Sequence, residues 1–349
     1  MRKCTMMLCC LVLTFLLVPS TAMAAKAHIK LAHGAPPQND RLEHASQAFK
    51  KYVEEKTNGE ISVQTYPNSQ LGGERENMEG IILGTIEAAG ISTGPFPAIF
   101  AEVMVFDIPF VFTAPEIAYA VADGPFGDMF RELMLKKTGI RCLGIGEGGY
   151  RHFTNNIRPV KTPDDLKGLK IRTMENAAHM QMMRELGAIP TPIPFPELYT
   201  ALAQKVVDGE ENPLALIESM RYYEVQKYVT LDGHFYGPHF IVINEAFYQG
   251  LSKEHQKIID EAGRIWKDEE RKYNQMQSKR ALDFIKSKGT QVTALSPDEI
   301  KAFSNKATQP VADYVRKQAG NEIVDAFFKA VKEAEEALEK SKAPLSPVM

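Results

Sequence analysis

The chain has 349 residues, 44% hydrophobic and 24% charged, with a formal net charge of −3. This is a globular balance, long enough for two domains of ordinary size, and it excludes nucleic-acid capture by an overall basic field. The first element is an N-terminal segment. Arg2 and Lys3 precede the apolar run "MMLCCLVLTFLLV", and "PSTAMA" supplies a small-residue ending at Ala22-Met23-Ala24. That pattern predicts a secretory signal peptide over residues 1–24, the apolar run being short for a membrane span. Its removal leaves 39 basic against 44 acidic residues, a net charge of −5, and a single cysteine, Cys142. The mature chain therefore has no internal disulfide available to it. Cys10 lies early in the apolar run without small residues before it, which argues against a lipid-modified N-terminus. No later apolar stretch is long enough to span a membrane.

"AHIKLAH" (27–33) predicts a strand, and residues 39–59 a helix with Leu42, Ala45, Phe49 and Val53 on one face. A strand over 60–67, a helix over 73–84 and a strand over 86–93 follow. Residues 115–139 are helical with a Gly-Pro interruption, and 140–146 again read as a strand. In "TPDDLKG" (162–168), Thr162 and Pro163 predict a capped helical turn, so Asp164 and Asp165 read as capping residues rather than catalytic ones. Then come a strand over 169–173, a helix over 176–187, a strand over 188–193 and a helix over 195–209. Residues 228–247 are strand-rich. A very long helix runs over 252–287, two more helices lie near 297–319 and 321–341, and the tail "APLSPVM" reads as frayed. This β-α alternation predicts a parallel or mixed sheet covered by helices. No repeat or low-complexity linker marks a boundary, which suits two domains joined by several backbone crossings and able to close on a hinge.

Catalytic signatures are scarce. "GIGEGG" (144–149) matches G-x-G-x-x-G after a strand. The "YRHFTNN" that follows does not open a helix, so a dinucleotide site lacks its context, and the glycines read instead as a strand crossing between lobes. The eight histidines form no H-x-x-x-H or H-E-x-x-H, and no cysteine pair accompanies them, so no metal and no cofactor is expected. His179 with Met180, Met182 and Met183 reads as packing. No G-x-S-x-G elbow occurs. What remains is polar residues in awkward places: Arg151 after "GEGGY", Arg172 within a strand, and Asn212 in "DGEENPLALI" just after a helix. Taken singly, each reads as a surface residue.

Together they lie in segments of a family pattern. "SQLGGERENMEGIILGTIEAAGIST" (69–93), "GYRHFTNN" (149–156), residues 164–217 from "DDLKGLKIRT" to "ENPLALI", and "YYEVQKYVTLDGHFY" (222–236) resemble the DctP-like periplasmic solute-binding proteins of tripartite ATP-independent periplasmic (TRAP) transporters. The resemblance covers nearly the whole mature chain. It implies an α/β, two-lobe periplasmic-binding-protein-like fold with hinge strands and a long helix bracing both lobes. Lobe I is expected over 25–148 plus about 237–276, lobe II over 149–236 plus about 277–330, and the helix end and tail over 331–349. It implies capture of a small organic acid and delivery to TRAP permease membrane subunits, by a periplasmic monomer that does not bind nucleic acid.

In the family the arginine of the "LKGLK-x-R" strand forms a bidentate salt bridge to the ligand carboxylate, and here it matches Arg172. Arg151 matches a second arginine, Asn212 the asparagine of "DG-x-ENP", and Phe195 an aromatic that packs on the ligand. An arginine fork suits a planar carboxylate, and an asparagine amide suits a neighbouring oxygen. Sialate binders carry further charges where this chain has Ser92, Thr93, Gly94 and Pro95, so a smaller dicarboxylate, hydroxy acid or sugar acid is expected. Ser92, Thr93, His33, His234 and Tyr236 are expected at the distal end, with His33 or His234 available to a second acidic group. Two alternatives stay open. A secreted enzyme would hold an acidic substrate between Arg151 and Arg172, but it needs a base or nucleophile that no motif supplies. A ligand-binding sensor subunit, or an ABC-type protein of similar fold, would use the same cleft.

Overall fold

The computed structural model describes residues 26–341 and 345–348; the expected signal segment lies outside them. The first half runs β1 (Ala27–Ala32), α1 (Arg41–Lys56), β2 (Ile61–Tyr66), α2 (Glu74–Leu83), β3 (Ala88–Ser92), α3 (Pro115–Asp123), α4 (Pro125–Thr138) and β4 (Ile140–Asn155). The second runs β5 (Lys170–Thr173), α5 (Ala177–Leu186), β6 (Ile189–Pro192), α6 (Leu198–Ala203), β7 (Gly209–Pro213), α7 (Leu214–Ser219) and β8 (Tyr228–Asn244). The chain closes with α8 (Glu245–Gly250), α9 (Lys253–Ser287), β9 (Gln291–Ala294), α10 (Pro297–Ala319) and α11 (Asn321–Ser341).

Local chemistry sets most of these boundaries. The Asp40 side chain caps α1 by accepting from the Leu42 amide, and Leu42, Ala45, Phe49 and Val53 form its buried face. Gly84, in the left-handed region, ends α2. Pro115 and Pro125 each open a helix at its first turn. Asn176 caps α5, Ser252 caps α9, and a Ser296–Glu299 capping box starts α10. Asp165 accepts from the Lys161 and Thr162 amides, the capping role that its sequence context predicts.

One mixed sheet runs β2-β1-β3-β8-β4-β7-β5-β6, with β9 beside the early part of β8. β4 and β8 are far longer than the rest and pair antiparallel from Ile140↔Asn244 to Asn155↔Tyr228. β1, β2 and β3 attach at one end of this ribbon, and β5, β6, β7 and β9 at the other. A register shift interrupts this ribbon at Glu147/Gly149. α9 lies across the ribbon, packing on α1 in one lobe and α7 in the other. Its Trp266 is buried among Ile29, Ile241 and Ile243, and its Ile285 among Leu214 and Val229. On the opposite face one apolar core runs through both lobes, from Met78 and Phe106 to Met182 and Val311.

Several features differ from the sequence reading. The helix expected over 195–209 stops at Ala203, because the chain turns through Lys205 at φ 59°. β7 and α7 then occupy 209–219, so Asn212 stands in a strand. β9 is an additional edge strand. α11 packs on α3, α4 and α10. In the tail, Ser346 is tied to the Glu116 carboxylate rather than frayed.

Candidate functional site

Parallel strands of both lobes end at one crevice, the usual place for a ligand in such sheets. Ser92 ends β3, Gly34, Ala35 and Thr93 lie just beyond β1 and β3, and Met174 and Glu175 lie beyond β5. Arg41 and Glu74 come from the first turns of α1 and α2. Arg172 comes from β5, Asn212 from the end of β7, and Gly148, Arg151, Gly237 and His239 from the β4/β8 ribbon. The cavity measures about 90 Å³. That is roughly six to nine water-sized positions.

Arg172 is the central observation. Ile171 is packed in the core, while the Arg172 guanidinium lines the cavity at 1% exposure. Its Nε donates to the Ile193 carbonyl at 2.9 Å, and its Nη1 has no partner. Burial pulls its pKa down, Tyr222 opposes that, and the neighbouring Arg151 adds to it. A buried cation without a counter-ion is costly.

Arg151 is arranged differently. Its Nε donates to Glu211 Oε2 at 2.5 Å and its Nη2 to Glu211 Oε1 at 2.9 Å. His234 Nε2 meets the same carboxylate at 3.2 Å and His179 Nδ1 at 3.6 Å. His234 Nδ1 lies 2.6 Å from Asp232 and His179 Nε2 3.0 Å from Asp107. Burial would raise the Glu211 pKa, but Arg151 and the two imidazoles hold it well below the carboxylate range. Burial likewise opposes protonation of His234, and Asp232 and Glu211 outweigh it, pushing the pKa up to about 9. His179 is raised in the same way, against burial, by Asp107 and Glu211. Arg151, His179 and His234 thus surround Glu211, Asp107 and Asp232, whereas Arg172 forms no ion pair among the described residues.

Asn212 Nδ2 donates to Glu210 at 2.5 Å. Burial raises Glu210 to about 7 despite its bonds from Thr154 and Asn212. Phe195 lies against Gly34 from the opposite lobe.

The sequence-predicted residues divide into two groups. Arg172, Arg151, Asn212, Phe195, Ser92 and Thr93 converge on the cavity. His33, His234 and Tyr236 are not in its wall. His33 is fully buried with its Nε2 on Glu43 at 2.8 Å. His234 stands behind Glu211, stacked on Phe153. Tyr236 packs with Phe112, Tyr119 and Tyr150. All three are polar enough to suggest a wall, and each is consumed by a neighbour distant in sequence. Conversely, Arg41, Glu74 and His239 line the cavity unanticipated. Arg41 and Glu74 sit in first helical turns and read simply as helix residues. Among the described residues no cluster of His, Cys, Asp or Glu is placed to hold a metal ion, and no helix is long and apolar enough to cross a membrane.

Comparison with known proteins agrees with this architecture. The 2,3-diketo-L-gulonate-binding periplasmic protein YiaO of Escherichia coli K12 is 32% identical over 301 residues, spanning 86% of this chain and 87% of its own. The C4-dicarboxylate-binding periplasmic protein DctP of Rhodobacter capsulatus is 31% identical over 314 residues, 89% and 93% of the two chains. The crystal structure of the sugar acid binding protein DctPAm from Advenella mimigardefordensis, in complex with galactonate, superposes with a TM-score of 0.85 at 31% identity, covering 88% of this chain and 98% of the other. The model of the bacterial extracellular solute-binding protein family 7, DctP, matches residues 31–318. With that match across its two-lobe fold, the chain belongs to the DctP family of TRAP periplasmic solute-binding proteins.

Proposed function

We propose that this protein is periplasmic and captures a small organic acid in the interlobe cavity, with the ligand carboxylate on Arg172, and delivers it to a TRAP permease without chemical change. The supporting observation is the Arg172 guanidinium itself: fully buried, cavity-lining and without a counter-ion, beside an Arg151 that Glu211 already neutralises. A planar carboxylate satisfies both its charge and its free edge. The relatives named for acids are consistent with this reading. The lobes divide at the register shift near Gly149 and at Gly237, so that Arg172, Arg151 and Asn212 come from the second lobe and Ser92 and Thr93 from the first.

Calorimetry on the mature protein against a panel of organic acids tests this. Arg172→Lys keeps the charge and loses the fork, and is expected to weaken binding at least about tenfold. Arg172→Met is expected to cost on the order of 2–5 kcal/mol of binding free energy, the scale for removing one member of a buried charge pair. Near-wild-type affinity in both variants rejects Arg172 as the anchor.

A further inference from the structure

We infer that the first-lobe end of the cavity reads hydroxyl groups through Glu74 and Arg41, and that the ligand is a short polyhydroxy monocarboxylate rather than a dicarboxylate. This rests on Arg172 as the carboxylate anchor. Glu74 stands in the cavity wall at the start of α2. Its Oε1 accepts from the Ser92 amide at 2.8 Å and its Oε2 from the Ser92 hydroxyl at 2.5 Å. A carboxylate oxygen has two lone-pair sites, so each oxygen keeps one for a further donor. Arg41, also in the wall, is 1% exposed, and its Nε and Nη1 make no hydrogen bond. Its nearest acids, Glu270 and Asp40, are 3.6 and 3.7 Å away.

The same wall therefore offers spare acceptor sites on Glu74 and, on Arg41, a guanidinium whose hydrogen bonding is incomplete. A hydroxyl both donates and accepts, so a hydroxylated chain satisfies Glu74 and Arg41 together. A second carboxylate only accepts: it would suit Arg41 and bring like charge against Glu74. An unsubstituted alkyl chain would leave both unmet. Of the other arginines in the wall, Arg75 is paired with Glu79 and Glu175, Arg151 with Glu211, and Arg172 is assigned to the ligand carboxylate. His33 is engaged by Glu43 and His234 by Asp232 and Glu211, both outside the wall. His239 is in the wall but is held neutral, its pKa lowered to about 3 first by burial and then by the Arg41 charge. The cavity volume of about 90 Å³, roughly six to nine water-sized positions, favours a small acid.

The test is calorimetric titration of the mature protein with aldonates of four to six carbons, butyrate, succinate and neutral or zwitterionic amino acids, repeated with Glu74→Gln. Wild type is expected to bind at least one aldonate a hundredfold or more tighter than succinate or butyrate. Glu74→Gln is expected to lose about tenfold on that aldonate, gain on succinate, and so narrow the ratio. Succinate binding as tightly as the best aldonate overturns the inference while leaving the Arg172 anchor in place. So does an unchanged ratio in the variant, or an amino acid binding tightest, which would make Glu74 an ammonium site. Failure of every carboxylate in the panel rejects the anchor itself, and the inference with it.

Discussion

His234 touches no cavity surface, yet it ties the positive end of the site to pH. Its pKa is about 9 in the fold, against an ordinary value near 6.5, because Asp232 and Glu211 outweigh burial. A base with a raised folded pKa contributes stability that is complete below the unfolded value and is lost as pH climbs through the folded one. The loss therefore falls between about pH 6.5 and 9. Glu270, raised by burial to about 8, acts in the same direction over part of that window, since the folded state retains a proton that the unfolded chain has released. His239, with its pKa lowered to about 3, makes stability rise with pH only below about 6.5 and does not oppose the trend. The melting temperature should thus fall from pH 6.5 to 9, by an amount equivalent to about 2–3 kcal/mol for His234. Calorimetry checks this, and His234→Asn should flatten the slope. The same residue shows where sequence reading stops. Arg172 and Asn212 reach the cavity wall from strings that are locally distinctive. The burial of His234 behind Glu211 depends on a partner in another strand, which no local spacing reveals.

Strand β4 carries the next consequence, at the scale of an element. Its glycines match G-x-G-x-x-G in sequence without the helix that a dinucleotide site needs, and in the fold they are contact points. A Cβ on Gly146 would sit 1.8 Å from Glu270 Oε2 and 2.9 Å from Trp266, both on α9. Gly149 has φ 104°, where a side chain is strained, and it sits at a register shift of the β4–β8 ribbon. The absence of side chains lets α9 lie flat on the ribbon that joins the lobes. Gly146→Ala should displace Glu270, which accepts from the Glu147 amide at 2.9 Å, and cost about 1–3 kcal/mol as overpacking. Urea unfolding measures the loss; a change below about 0.5 kcal/mol would show that α9 is free to slide. The long helix itself was plain from its period and its Ser252 cap. β7 was not, because "GEENP" places two acids and an asparagine in a fully buried strand. Burial of that kind is bought by Arg151, Thr154 and His179, each distant in sequence.

For the molecule as a whole the described state is closed. Asp40 meets Ser219 at 3.1 Å, Ser92 meets Met174 at 3.4 Å, and Arg75 pairs with Glu175 at 3.7 Å across the cavity mouth. The last of these pairs is the accessible one, its side chains 58% and 38% exposed. Exposed ion pairs are worth about 0–1 kcal/mol and weaken with salt. If this pair holds the lobes together over the ligand, removing it destabilises the closed state and leaves the encounter with the open state nearly untouched. Glu175→Gln should then raise the ligand dissociation rate up to about fivefold with little change in association. The difference from wild type should shrink as salt rises, since screening weakens the native pair as well. Stopped-flow measurements at low and high salt separate the possibilities. An unchanged dissociation rate removes Glu175 from the latch. A loss that persists in full at high salt assigns it to direct contact with the ligand, where an enclosed charge is screened little.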